Sequence, residues 1–182
     1  MGSGPGAACA ISLNTSLTPE QRALYQDVAQ VNRVLDTART IAVVGLSTDR
    51  QKASFFVAGY LKDEGYRIVP VNPRADEILG EKAYPDLASI PFPIDLVDIF
   101  RPPGEIDAVV DQAIARKQQG IDAPAIWMQL RLVNLKAAER ARAAGLTVIV
   151  DKCVKMEHGR YRGSLHFAGM NTEIISARKR KR

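Results

Sequence analysis

A doubly wound α/β fold, with five parallel strands in one sheet and an N-terminal helix, is what this sequence predicts, and three observations predict it. Five short runs rich in apolar residues read as strands, and the first of them, Ile41 to Gly45, lacks the polar alternation of a half-exposed strand and so reads as buried on both faces. Segments with apolar residues at three- and four-residue steps separate them, and such alternation implies right-handed crossovers with helices on both sides of the sheet. At 182 residues, 46% of them hydrophobic, the chain fills one core and hardly two.

Residues 1–17 open with Met1-Gly2-Ser3-Gly4-Pro5-Gly6, small and without periodicity, and are expected to be flexible. Thr18 is a suitable N-cap, Pro19 suits the first helical position, and Gln21 completes a capping-box spacing. Leu24, Val28, Val31 and Leu35 then extend one expected helix to Ala38. Ile41-Ala42-Val43-Val44-Gly45 is the first strand. A helix over residues 53–64 follows, carrying Phe56, Val57, Tyr60 and Leu61, with Gly65 placed to end it. Arg67-Ile68-Val69-Pro70-Val71 is the second strand, and Pro70 implies that one side of it is locally unpaired.

The third strand is Ile94-Asp95-Leu96-Val97-Asp98-Ile99-Phe100, and its helix over 105–119 carries Ile106, Val109, Val110 and Ile114. Ala125-Ile126-Trp127-Met128 is the fourth strand. A helix over 134–144 closed by Gly145 leads to the last, Leu146-Thr147-Val148-Ile149-Val150. The expected strand order is 3-2-1-4-5. One domain over residues 18–165 and a basic tail over 166–182 complete the organisation.

The net charge of +5 is largely local, because Arg178-Lys179-Arg180-Lys181-Arg182 carries a block of positive charge. A like-charge block is the usual form of a solubilising end, and nucleic-acid binding is not the expectation. Cys9 and Cys153 imply no disulfide framework. No basic leader precedes a long apolar run, and no segment is apolar enough to span a bilayer. A cytoplasmic location without membrane contact is expected.

In an open parallel sheet the ligand lies beyond the carboxyl ends of the strands. That rule selects Gly45-Leu46-Ser47-Thr48-Asp49-Arg50, Asn72-Pro73-Arg74, Phe100-Arg101-Pro102-Pro103 and Gln129-Leu130-Arg131. Gly45 permits close backbone approach, Ser47 and Thr48 offer hydroxyls and N–H groups ahead of a helix, and Lys52 adds a full charge. Helix N-termini bind phosphate through free donors and a partial positive charge. The same residues also suit a plain turn and cap.

The first loop holds one glycine where the dinucleotide fingerprint has three, which disfavours ordinary NAD binding. Where an acid would hold a ribose hydroxyl, the second strand ends in Asn72-Pro73-Arg74, and Asp76 comes late. Arginine there suits an extra phosphate on an adenosine ribose, as in NADP or coenzyme A.

Taken together, Val44-Gly45-Leu46-Ser47 with Lys52, Tyr66-Arg67-Ile68-Val69-Pro70-Val71-Asn72-Pro73 and Asp98-Ile99-Phe100-Arg101-Pro102 resemble the small bacterial CoA-binding domain proteins. The likeness continues through Ile126-Trp127-Met128-Gln129 and Asp151-Lys152-Cys153 to Glu157-His158. That family is similar in turn to the CoA-binding domain of succinyl-CoA synthetase α subunits and of ADP-forming acyl-CoA synthetases. The resemblance implies a Rossmann-like fold with coenzyme A or an acyl-CoA as ligand. It implies that Gly45, Ser47 and Lys52 meet phosphates and that Val71, Asn72 and Pro73 border the adenosine portion, beside which the residue chemistry above sets Thr48 and Arg74. It further implies that Phe100, Arg101 and Pro102 close the crevice, with Trp127 and Gln129 toward the pantetheine arm. One departure stands out: the family places a glycine soon after the Trp-Met-Gln run, whereas this chain has Leu130-Arg131.

The resemblance does not imply an enzyme, since the phosphorylated histidine and nucleotide-triphosphate site of the synthetases lie in further domains. His158 and His166 are the only histidines. No Ser-His-Asp ordering or metal-ligand cluster stands out. Cys153 near Glu157 and His158 fits a thiolate site, but a lone strand-end cysteine also fits a small buried hydrophobe. Asp95 and Asp98 alternate on a buried strand and suit hydrogen bonds to loop ends. Trp127 suits packing or stacking. Three functions fit: a stand-alone CoA binder acting as sensor, carrier or regulator without chemistry of its own; an NADP-dependent oxidoreductase; and a regulatory subunit of a partner enzyme.

Overall fold

The computed structural model describes residues 16–122 and 124–162. The expected flexible stretch up to residue 15 and the basic tail lie outside the described residues. Leu17 is only 6% exposed and belongs to the core. Thr18 and Gln21 form the reciprocal capping box of α1, Pro19–Tyr25. The single opening helix expected to reach Ala38 is in fact two, because the Asp27 carboxylate accepts the Gln30 N–H and so starts α2, Val28–Thr37. An N-cap bond of this kind competes with helix continuation. Gln26, at the break, donates from its side chain to the carbonyls of Val150 and Asp151 across the fold.

The chain continues through β1, Thr40–Val44, α3, Ala53–Asp63, and β2, Arg67–Val71. A small antiparallel hairpin, β3 Glu77–Ile78 with β4 Glu81–Lys82, follows. Next come β5, Leu96–Ile99, a 3-10 turn at Pro103–Glu105, and α4, Ile106–Gln118. The chain ends its described part with β6, Ala125–Met128, α5, Leu135–Ala143, β7, Val148–Ile149, and α6, Val154–Tyr161.

Five strands form one parallel sheet in the order β2-β1-β5-β6-β7. The Rossmann-like, doubly wound architecture is present, but the expected order 3-2-1-4-5 is not. The third of the five strands, β5, pairs with β1 and leaves β2 at the edge. The outer side of β2 is already taken: Tyr84 bridges Val71 in parallel fashion, donating its N–H to the Pro70 carbonyl and accepting from Asn72 N–H. Pro70, which lacks a donor, fits such an edge. Buried Arg116 of α4 then holds the crossing segment by donating to the carbonyls of Leu87, Ile90 and Phe92 while pairing with Asp122 at 2.6 Å. The chain therefore passes β1 and enters the sheet on its far side.

Side-chain alternation divides the core in two. Ala42, Val44, Val69, Val97, Ile99, Ile126 and Met128 pack with α4 and α5 on one face. Ile41, Val43, Ile68, Leu96, Trp127 and Ile149 pack with α2, α3 and the start of α6 on the other. Asp98 pairs in register with Val43 and Trp127, so its carboxyl enters this second, apolar layer.

Candidate functional site

The loop after β1 turns at Gly45, whose φ of +86° falls in the left-handed region. A Cβ there would stand 2.5 Å from the Phe100 carbonyl oxygen and 2.6 Å from the Arg101 side chain. The close approach expected of Gly45 is thus made by the end of β5, and no other residue type fits. Ser47 donates its N–H to the Ser54 hydroxyl at 3.1 Å and accepts the Asp49 N–H at 3.0 Å. Ser54 is buried in the first turn of α3, so it fastens the loop to the helix start. Nothing in the local sequence marked Ser54, because its role depends on a loop folding back seven residues.

Thr48 is exposed in this loop. Lys52 is also exposed and is the N-cap of α3, and its side chain makes no capping bond. An N-terminus capped by no side chain keeps donors available to an anion.

Asn72 joins the second loop to the first. Its side-chain amide donates to the Leu46 carbonyl at 2.8 Å and its carbonyl oxygen accepts the Arg74 N–H at 2.8 Å. Val71 is buried, whereas Pro73 and Arg74 are exposed. Beyond β5, Phe100 packs against the layer that holds α3. Arg101 folds over Gly45 and is held by Glu105, its Nε 2.7 Å from the carboxylate. Pro102, exposed, caps the 3-10 turn. The Arg101 guanidinium, expected to help close the crevice, is paired with Glu105.

Trp127 lies wholly in the core, 0% exposed, and its indole N–H donates to the Lys152 carbonyl at 2.7 Å. The expectation that it lines the pantetheine path fails on that burial; its contribution is to hold residue 152 over the sheet. Gln129 is 7% exposed and donates to Asp98 Oδ1 at 2.7 Å. Asp98 is fully buried, and its Oδ2 has no hydrogen-bond partner. Burial pushes its carboxyl up to about 7, with the Gln129 bond opposing. Asp95 does bond loop ends as expected, accepting the N–H groups of Arg39 and Thr40; Asp98 does not.

Arg131 has φ of +65° and donates its N–H to Asp151 Oδ1 at 2.6 Å. A glycine would adopt this left-handed turn without strain. Arg131 takes it as a strained residue with an exposed side chain.

The helix α6 extends the site. Lys155 lies over the Phe56 ring at 3.6 Å, and Tyr60 hydroxyl meets His158 Nδ1 at 2.9 Å. Residues ascend together along both helices, so α3 and α6 run parallel with their N-termini on the same side. Their N-cap residues, Lys52 and Cys153, therefore both stand at the carboxyl edge of the sheet. Burial raises the Cys153 thiol, and the charges of Asp98 and Glu157 raise it further. Glu157 pairs with Lys152 and Arg160. A cavity of about 420 Å³ lined by Asp36, Arg39, Glu64, Tyr66 and His158 opens at the opposite, amino-terminal end of the strands. It contains none of the loops that converge on Gly45.

The first loop and the start of α3 thus stand together at the carboxyl edge of the sheet, the helix start without a side-chain cap and Lys52 and Arg74 exposed. A family model described as a CoA binding domain matches residues 39–159, a span that contains all four loops. An uncharacterized protein of Bacillus subtilis, YneT, is 39% identical over 130 residues, covering 71% of this chain and 93% of that protein. A solved structure described as a hypothetical protein from Pyrococcus horikoshii superposes with a TM-score of 0.68 at 34% identity, covering 73% of this chain and 90% of that one. The α subunit of an ADP-forming acetate–CoA ligase of Pyrococcus furiosus is 42% identical over 65 residues, which is 35% of this chain and 14% of that subunit.

Proposed function

The chain belongs to the CoA binding domain family, and from that premise we propose that it binds coenzyme A or an acyl-CoA as a stand-alone binding protein. The carrying observation is the coincidence of the family match with an uncapped helix start: α3 begins at Lys52, beneath a loop that Ser54, Asn72 and Gly45 hold in place. Phosphates of the ligand meet the N–H groups of that helix start, the Ser47 and Thr48 hydroxyls and the Lys52 ammonium. The adenosine portion borders Asn72 and Pro73, and the exposed Arg74 guanidinium reads the ribose phosphate. The pantetheine arm leaves across Phe100 and Pro102 toward Gln129.

The reading is of a sensor, carrier or regulator rather than a ligase. The segment shared with the acetate–CoA ligase subunit is 14% of that protein, so its ligation chemistry is not carried across. Calorimetric titration with CoA, dephospho-CoA and NADP tests the assignment. The expected order is CoA tightest, dephospho-CoA weaker and NADP absent. Binding of NADP without CoA would make the oxidoreductase reading the better one.

A further inference from the structure

We propose that the cavity at the amino-terminal end of the strands is a second ligand site, one that takes a small free amino acid with an apolar side chain as its zwitterion. It shares no residue with the loops around Gly45 and does not depend on the CoA reading. The cavity, of about 420 Å³, lies between the ends of α2 and α3 and the helix α6, and ligand pockets occupy about 300 to 1,000 Å³. In its wall stands His158, only 4% exposed. Tyr60 and Tyr66 pack edge-on against the ring at 5.6 and 5.5 Å between centroids, and the Tyr60 hydroxyl meets Nδ1 at 2.9 Å. Nε2 has no partner among the described residues, yet it is not one of the partnerless atoms sealed from solvent. A nitrogen of so buried a ring reaches solvent through the cavity that the ring lines.

The protons of this group make Nε2 an acceptor. Tyr60 keeps its own, because burial and the Glu64 carboxylate push it up to about 12. One hydroxyl proton serves one acceptor. The Glu64 carboxylate takes it, so Nδ1 donates to the Tyr60 oxygen. Burial lowers the His158 pKa, with Glu64 opposing and Arg162 assisting. The ring is therefore neutral at physiological pH, and Nε2 carries a lone pair.

Charges around the cavity divide into one satisfied pair and two spare groups. Arg162 Nε holds Asp36 Oδ1 at 2.9 Å and its other nitrogens reach Asn32. Arg39 and Glu64 are exposed and, among the described residues, belong to no ion pair. Arg39 Nη1 donates to the carbonyls of Asp36 and Ala38 at 2.9 Å, which fixes the guanidinium and leaves Nε and Nη2 to spare. The lining thus offers a cationic donor together with the acceptors Glu64 and His158 Nε2. A carboxylate answers the donor, and an ammonium, all donors and no acceptor, answers both acceptors. A bare anion would face Glu64 and a bare amine would face Arg39, so the zwitterion is the species that fits. Leu35, Ala38 and the Tyr66 ring supply apolar wall for its side chain.

Calorimetry on the full chain at neutral pH compares L-leucine and L-phenylalanine with 4-methylpentanoate, which lacks the ammonium, and isoamylamine, which lacks the carboxylate. At least one of the two amino acids should bind and neither analogue should. Arg39→Met and Glu64→Gln, both at exposed positions, should each weaken that binding about tenfold or more. The chain has two histidines, so NMR of the ring nitrogens reads His158 directly once His166→Asn has assigned the signals. Its Nε2 resonance should move as the amino acid is added, a readout that needs no substitution in the core. No binding by either amino acid up to about 10 mM overturns the proposal. Equal binding of 4-methylpentanoate overturns it too, since an anion at Arg39 would then suffice, and so does amino-acid binding that leaves the His158 signal in place. Each of these failures leaves the CoA reading intact.

Discussion

Asp98→Asn should make the protein's stability far less dependent on pH between about 4 and 7. The wild-type carboxyl is raised from 3.8 to about 7 because it is buried between Val43 and Trp127. The folded state therefore binds this proton more tightly than the unfolded state does, and stability falls as pH rises through that window. The contribution is fully present below about pH 4 and lost above about pH 7. At 1.36 kcal/mol for each pH unit, the rise from 3.8 to about 7 amounts to a ceiling of about 4 kcal/mol. Asparagine retains the oxygen that Gln129 contacts and places a neutral N–H₂ where Oδ2 stands alone. The variant should match the parent near pH 4 and exceed it by about 2 to 4 kcal/mol at pH 8. Urea melts at a series of pH values measure this directly. Parallel stability curves for the two proteins would refute the assignment of a neutral buried carboxyl.

Gly45→Ala should destabilise the fold by about 3 kcal/mol in the same melts, because a left-handed φ and a clash with the Phe100 carbonyl act together; a change below about 1 kcal/mol would contradict both. Arg131→Gly should stabilise by about 0.5 to 1 kcal/mol by relieving the strained turn, with unchanged CoA affinity in calorimetry. Lys52→Ala should weaken CoA by about 1.5 to 3 kcal/mol while leaving the melt in place, since its side chain caps nothing. Arg74→Ala should narrow the affinity gap between CoA and dephospho-CoA, and an undiminished gap would move the ribose phosphate elsewhere.

Local chemistry made much of the fold and part of the site legible. Short apolar runs placed every strand of the parallel sheet, because burial leaves its mark in each run separately. Thr18 with Gln21 announced the first cap, whereas Pro70 implied only one locally unpaired side of its strand, which the expected order still set inside the sheet. Gly45, Ser47 and Lys52 stood out because a turn followed by a helix start is a short-range pattern. Nothing equally local predicted α6, whose residues follow Cys153 without a clear apolar stripe, or the break at Asp27, where a cap bond competes with a continuing helix.

What the sequence determined by itself, then, was the five strands of the parallel sheet and most of the helices between them, since these follow from contacts between near neighbours. Only the tertiary structure decided the strand order, because Tyr84 closes the edge of β2 and Arg116 carries the crossing segment past β1. It also decided which polar groups remain available: Glu105 claims Arg101, the core claims Trp127, and Asp98 keeps one buried oxygen without a partner. Those outcomes depend on residues brought together from distant parts of the chain, and such pairings leave no periodicity in the sequence to read.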